Sequence, residues 1–180
     1  MMPAGDTFVL ITGCSGGGKS TLLAELAARG YAVVKEPGRR IVKQALAGGE
    51  GALPWVDPAA FARQAIVLAL ADREAARGYS GWVFFDRGLV DAASALEDLT
   101  GAPGLTALNA QHPYHRRVFL APPWPEIYQT DAERQHAFET SLSEYHRLEQ
   151  ALPALGYEVI VLPKAPVAER ADFVLAALST

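Results

Sequence analysis

Residues 13–20 read Gly-Cys-Ser-Gly-Gly-Gly-Lys-Ser, between an apolar run at 7–12 (Thr-Phe-Val-Leu-Ile-Thr) and a helical pattern that opens at Lys19. This order leaves few folds open. A glycine-rich turn joining a buried strand to a helix can curl until successive N–H groups point inward, and the helix N-terminus adds its own free donors and positive dipole end. The result is a cradle for an anion, phosphate above all. The spacing G-x-x-x-x-G-K-[ST] makes Gly13, Cys14, Ser15, Gly16, Gly17, Gly18, Lys19, Ser20 and the adjoining Thr21 candidates for nucleotide binding. In such a loop Lys19 reaches the β- and γ-phosphates and the Ser20 hydroxyl ligates Mg²⁺. Cys14 is either a small residue that the loop tolerates or an oxidation sensor, since helix N-termini depress thiol pKa values.

The rest of the chain repeats the alternation. Apolar strands are expected at 31–35, 82–85, 118–120 and 158–162, and helices at 19–29, 39–47, 57–77, about 131–151 and 167–178. Leu22, Leu23 and Leu26 share one face of the first helix, and Phe61, Ala65, Leu68 and Ala69 face inward on the third. Short strands separated by helices imply an α/β domain, here a P-loop NTPase three-layer sandwich with a five-stranded, mainly parallel sheet and helices on both faces. With 180 residues, no repeat and no linker, one domain over 1–180 is expected. A net charge of −4 argues against a nucleic-acid partner, and a single cysteine excludes an internal disulfide. The longest apolar run, 65–71, is far shorter than the roughly 20 residues of a membrane span. No basic segment precedes the first apolar run, so no export signal is expected. Together these point to a cytoplasmic monomer or small homo-oligomer without a membrane partner.

In a parallel sheet of this kind, ligands bind at the carboxyl ends of the strands. Two strands end in charged residues. Trp82-Val83-Phe84-Phe85 runs into Asp86-Arg87-Gly88, and the second strand into Glu36-Pro37-Gly38-Arg39-Arg40. Asp86 can hold Mg²⁺, directly or through water, or take the proton of an attacking hydroxyl; as a purely structural group it would be a strand-end ion pair or helix cap. Arg87 sets a permanent positive charge beside it. Pro37 and Gly38 are expected to force a turn that leaves Glu36 and Arg39 on the same edge, suited to a polar acceptor.

The phosphate loop, the Glu-Pro-Gly-Arg-Arg turn and the Phe-Phe-Asp-Arg-Gly strand end together resemble P-loop kinases of small molecules. The similarity is nearest to nicotinamide riboside kinase-like domains and the bacterial AAA-domain ATPase/kinase family grouped with them, and more distant to thymidylate kinases. Gly88, and Arg39-Arg40 in place of a second glycine, depart from the thymidylate kinase pattern. The resemblance implies ATP and Mg²⁺ as cofactors and transfer of the γ-phosphoryl to a small-molecule phosphate acceptor: a nucleoside, a nucleotide or a nucleoside-like compound. It also implies a lid at about 122–135, with Arg134 neutralising charge in transfer, and passage of residues 163–166 beside the adenine. Trp124 and Tyr128 either stack on a flat ring or pack on the core. Arg116 and Arg117 precede the fourth strand, away from the binding edge. Arg63 and Gln64 on the third helix either reach an acceptor across the cleft or lie on the surface, and the four histidines (His112, His115, His136, His146) read as surface residues. No guanine-reading Asn/Thr-Lys-x-Asp motif occurs, which favours ATP. The chain is short for an AAA+ motor, and ring assembly is not expected. The candidate catalytic set is Lys19, Asp86, Arg87 and Arg134, with Glu36, Arg39 and Arg87 for the acceptor and Ser20 and Asp86 for the metal. The rival reading is a nucleotide-driven switch without an acceptor.

Overall fold

Side-chain alternation along the first strand, β1 (Phe8–Gly13), divides the interior in two. In this computed structural model, which describes residues 4–127 and 138–180, Phe8 and Leu10 point into one core and Val9 and Ile11 into another. The same division runs through β3 (Val83–Asp86), with Val83 and Phe85 on one side and Phe84 on the other. In β4 (Arg117–Ala121), Val118 and Leu120 oppose Phe119. A strand buried on both faces is the pattern of a parallel sheet covered by helices.

The sheet has five strands in the order β2-β3-β1-β4-β5, with β2 at Ala32–Val34 and β5 at Glu158–Val161. All four pairings are parallel. Helices α1 (Lys19–Ala28) and α7 (Val167–Leu178) cover one face through Leu22, Leu26, Ala171 and Val174. The other face is covered by α3 (Pro58–Ala76), α4 (Leu89–Thr100), α5 (Leu105–Gln111) and α6 (Phe138–Ala154), and α2 (Pro37–Leu46) packs outside against α3. This is the three-layer α/β sandwich that the alternation implies. Among the described residues, no helix is long and apolar enough to cross a membrane.

Two departures have physical causes. Pro37 and Gly38 do not make a turn: Pro37 is the first residue of α2, with Glu36 at its N-cap. A proline ring, whose φ is preset and whose missing N–H is not needed in the first turn, begins a helix as readily as it bends a loop. The second departure is α4 and α5, which lie in the stretch between β3 and β4 where the sequence pattern marks no helix. Helix α4 opens after Gly88, whose N–H donates to the Asp91 carboxylate (2.9 Å), and closes on Gly101 in the left-handed region (φ 70°). The start expected for α6 near 131 lies outside the described residues. On α3, Asp57 caps the helix by accepting from the Ala60 N–H (3.0 Å). Ala65 and Ala69 are buried, while Phe61 and Leu68 are half-buried.

The end of β1 tolerates nothing larger than glycine. Gly13 has φ 120°, and a Cβ there would lie 2.4 Å from the Ala121 carbonyl oxygen and 2.5 Å from its nitrogen. Gly30, also at positive φ (95°), faces open space. Gly13→Ala should therefore destabilise by about 3–5 kcal/mol and lower the melting temperature by roughly 10 °C, whereas Gly30→Ala should cost about 1–2 kcal/mol. Paired thermal denaturation curves would check this; equal losses would contradict the close approach.

Candidate active site

The loop after β1 is held by its own backbone. The Cys14 N–H donates to the Ala121 carbonyl (2.9 Å) and the Gly17 N–H to the Cys14 carbonyl (3.1 Å), with Gly16 and Gly18 at φ 75° and 81°. The Lys19 ammonium turns back and donates to the Cys14 carbonyl (2.7 Å). Burial, with the Arg87 charge nearby, lowers its pKa to about 8 against the pull of Asp86, Glu36 and Asp91. A desolvated cation of this kind gains from an arriving anion. Ser15, Gly16, Lys19 and Ser20 line the mouth of a cavity; Ser20 and Thr21 are exposed at the start of α1. Cys14 is buried, and burial raises its thiol pKa despite Lys19 and Arg87, the opposite of what a thiolate sensor needs.

Asp86 ends β3 beside this loop because β1 and β3 are neighbours, in register from Phe8↔Val83 to Ile11↔Asp86. Its Oδ1 is buried with no hydrogen-bond partner. Burial first, then the Glu36 charge, pushes its carboxyl up to about 6, against Lys19 and Arg87. Arg87 turns the chain in the left-handed region (φ 57°), its N–H donating to the Ile11 carbonyl (2.9 Å). Its guanidinium lies between Glu36 (3.7 Å) and Asp91 (3.8 Å). Burial works against its charge, but Glu36, Glu144, Asp91 and Asp86 outweigh it and raise its pKa. Asp91 also accepts from the Thr12 hydroxyl, and burial raises its own pKa. Gly88 is needed for room: a Cβ would meet the Tyr114 hydroxyl at 2.3 Å, and that hydroxyl accepts from the Leu89 N–H (2.9 Å).

From the loop the cavity, about 510 Å³, runs between α2, α3, α4 and α6. Glu36 and Arg39 line it, as do Asp86 and Arg87, so one space joins five charged candidates, Lys19 included. Val42, Trp55, Phe61, Ala92 and Ala95 supply apolar wall. Arg40 does not line it. Arg40 pairs instead with Asp72 on α3 and donates to the Lys35 carbonyl (3.0 Å). Charged residues that sequence reasoning missed also line the cavity: Asp91 and Asp98 from α4, and Glu144 and Arg147 from α6. Arg147 donates to the Ser94 hydroxyl (3.1 Å) and faces Asp98 (3.5 Å). Asp91, three residues after Gly88, could have been found as a helix-opening carboxylate; nothing local marks Glu144 or Arg147.

Other candidates fall elsewhere. Arg134, Tyr128 and His136 lie outside the described residues. Trp124 is half-buried, its ring covered by Arg170, whose Cζ lies 5.4 Å from the centroid. Arg63 and Gln64 are exposed, and the Gln64 side chain accepts from the Ala52 N–H (3.0 Å). Arg117 sits at the amino end of β4, facing Glu158 (3.1 Å). His146 is exposed, but His112 and His115 are half-buried, His115 edge-on to Trp82 (5.3 Å). Among the described residues, no group of three or more His, Cys, Asp or Glu could hold a metal by itself. The unpartnered Asp86 oxygen and the Ser20 hydroxyl, hard donors on one cavity, suit Mg²⁺, an ion that keeps waters and takes further oxygens from phosphate.

The parallel sheet and the glycine-rich loop between β1 and α1 define a P-loop protein. Residues 8–170 match the model of the AAA domain family AAA_28, and the chain belongs to that family. The AAA-domain part of the expected resemblance is thereby shown. Among solved structures, deoxyadenosine kinase from M. mycoides with bound dATP superposes with TM-score 0.64 at 15% identity, covering 96% of this chain and 100% of that one. The same kinase with products dCMP and a flexible dCDP gives 0.62 at 16%, over 96% and 98% of the two chains. With bound dCTP it gives 0.63 at 15%, over the same shares. No curated protein matches the sequence.

The raised Asp86 carboxyl has a thermodynamic sign. Its folded pKa, about 6, lies above the ordinary 3.8, so the fold favours the protonated form. The stability this contributes is present below about pH 4 and lost as pH rises through 6. Asp86→Asn should thus be more stable than wild type at pH 7.5, by on the order of 2–3 kcal/mol, and the gain should vanish near pH 4. Urea denaturation at the two pH values reads this; a variant less stable at pH 7.5 would contradict it.

Proposed function

We propose that this chain is an ATP-dependent kinase that transfers the γ-phosphoryl to a hydroxyl of an uncharged, nucleoside-like metabolite. The observation that carries the reading is the single cavity, which begins at Ser15–Ser20 and continues past Asp86 into an apolar chamber walled by Trp55 and Phe61. A nucleotide-driven switch needs only the first part. A second, apolar-walled space suits a second substrate.

In this reading the loop N–H groups and Lys19 hold the donor phosphates, and Ser20 and Asp86 hold Mg²⁺, which would offset the negative charge of the transferring group. The Asp86 or the Glu36 carboxylate orients the acceptor hydroxyl. Arg87, steadied by Glu36 and Asp91, sets a fixed positive charge beside the reacting group. Arg39 and Glu36 contact the acceptor, and Arg134 adds charge from the lid. Little covalent work falls to the protein, because phosphoryl transfer depends mainly on positioning and electrostatics.

Charge supports an acceptor without phosphate. Lys19, Arg39, Arg87 and Arg147 line the cavity together with Glu36, Asp86, Asp91, Asp98 and Glu144. Once Lys19 serves the donor, carboxylates outnumber cations around the acceptor, which is unfavourable for a dianionic monophosphate. Nucleosides bear hydroxyls and a flat ring that Trp55 and Phe61 can flank.

The test is mass spectrometry of products after incubation with Mg²⁺-ATP and a panel of nucleosides and their 5′-monophosphates. A nucleoside gaining one phosphoryl group is expected, with activity at least 100-fold lower in Asp86→Ala and in Arg87→Ala. Faster turnover of monophosphates would overturn the charge argument. ADP formed with orthophosphate alone, whatever the panel, would favour the switch.

A further inference from the structure

Arg170, in the first turns of α7, is 5% exposed and lies beneath the phosphate loop. Its Nε donates to the Ala165 carbonyl (2.9 Å), in the segment after β5, and its Nη1 donates to the Gly18 carbonyl (2.9 Å). Its guanidinium covers the Trp124 ring at 5.4 Å. One buried cation thus ties together three segments: the phosphate loop, the segment after β4 and the segment after β5. Among the described residues it has no carboxylate partner.

The bond to Gly18 has a directional consequence. The Gly18 carbonyl also accepts the first helical bond of α1, from the Leu22 N–H (3.1 Å). In a trans peptide the Lys19 N–H points opposite to that carbonyl. It is therefore one of the free donors that project from the helix start toward the phosphate side. A carbonyl held by two donors, one of them charged, polarises the N–H of its own peptide group and stops the peptide from rotating. Gly18 is matched to this contact, since at φ 81° a Cβ would lie 2.8 Å from Arg170 Nη1.

We propose that Arg170 is a positioning residue of the donor site, fixing the Gly18–Lys19 peptide with its N–H toward the polyphosphate without touching the ligand. The inference rests on the reading of the loop as a phosphate site, not on the identity of the acceptor or on transfer. Its charge would also draw a polyphosphate toward the loop from below.

The experiment is equilibrium binding of Mg²⁺-ATP and of inorganic tripolyphosphate by calorimetry, with adenosine, a nucleoside without phosphate, as a control ligand. Arg170→Met should weaken ATP and tripolyphosphate alike by about tenfold and leave nucleoside affinity unchanged. Arg170→Lys, which keeps the charge and one carbonyl bond, should recover most of the loss and keeps the proposal testable if the Met variant does not fold. Tripolyphosphate affinity unchanged by Arg170→Met would overturn the proposal. So would equal losses for tripolyphosphate and nucleoside, the mark of a brace that only holds the fold. Tripolyphosphate binding that depends on Arg170 in a protein that transfers nothing would uphold this inference and remove the kinase reading. A wild-type protein that binds no tripolyphosphate would overturn both.

Discussion

Arg87 is held in a left-handed turn between Glu36 and Asp91, and the charged site is organised around it. A guanidinium cannot shed its charge when buried, so its surroundings must compensate it, and around Arg87 carboxylates do so. Glu36 comes from the start of α2, Asp91 from the first turn of α4 and Asp86 from the end of β3. None of the three serves Arg87 alone. Glu36 lines the cavity, Asp91 caps α4 at Gly88, and Asp86 stands beside Lys19. The buried charges compensate one another only in this arrangement, which links the start of two helices to the ends of two strands.

Such a cluster costs stability. Burial lowers the Lys19 pKa and raises those of Asp86 and Asp91, so each of these groups is partly opposed by its own surroundings. The close packing of β1, β3 and β4 offsets this, with Val9, Leu10, Ile11, Phe84, Phe119 and Leu120 fully buried. Each such side chain contributes about 1.5–3 kcal/mol relative to exposure. A rigid apolar sheet carrying charged strand ends agrees with the general tendency of sites to be built from groups that do not favour the fold.

Legibility from sequence follows contiguity. The phosphate loop is readable because its residues are consecutive and each has a local reason to be there. Asp86 and Arg87 are readable as the polar end of an apolar strand. Pro37-Gly38 misleads because the same pair can open a helix or bend a loop, and packing of α2 on α3 decides between them. Glu144 and Arg147 reach the cavity from a helix more than fifty residues beyond Asp86, and Arg170 meets Gly18 across 152 positions. No spacing rule encodes such convergence, which depends on strand order β2-β3-β1-β4-β5 and on α6 and α7 covering opposite faces.

The proposed continuity of the phosphate loop and the apolar chamber, one site for two substrates, is open to measurement. It is tested most directly by the binding of a bisubstrate compound, adenosine joined through a tetraphosphate to a second nucleoside, against ATP alone. At least tenfold tighter binding than ATP is expected, lost when the chamber is filled by Ala92→Phe while ATP affinity is retained. Equal affinity for the two ligands, with no effect of filling the chamber, would contradict it.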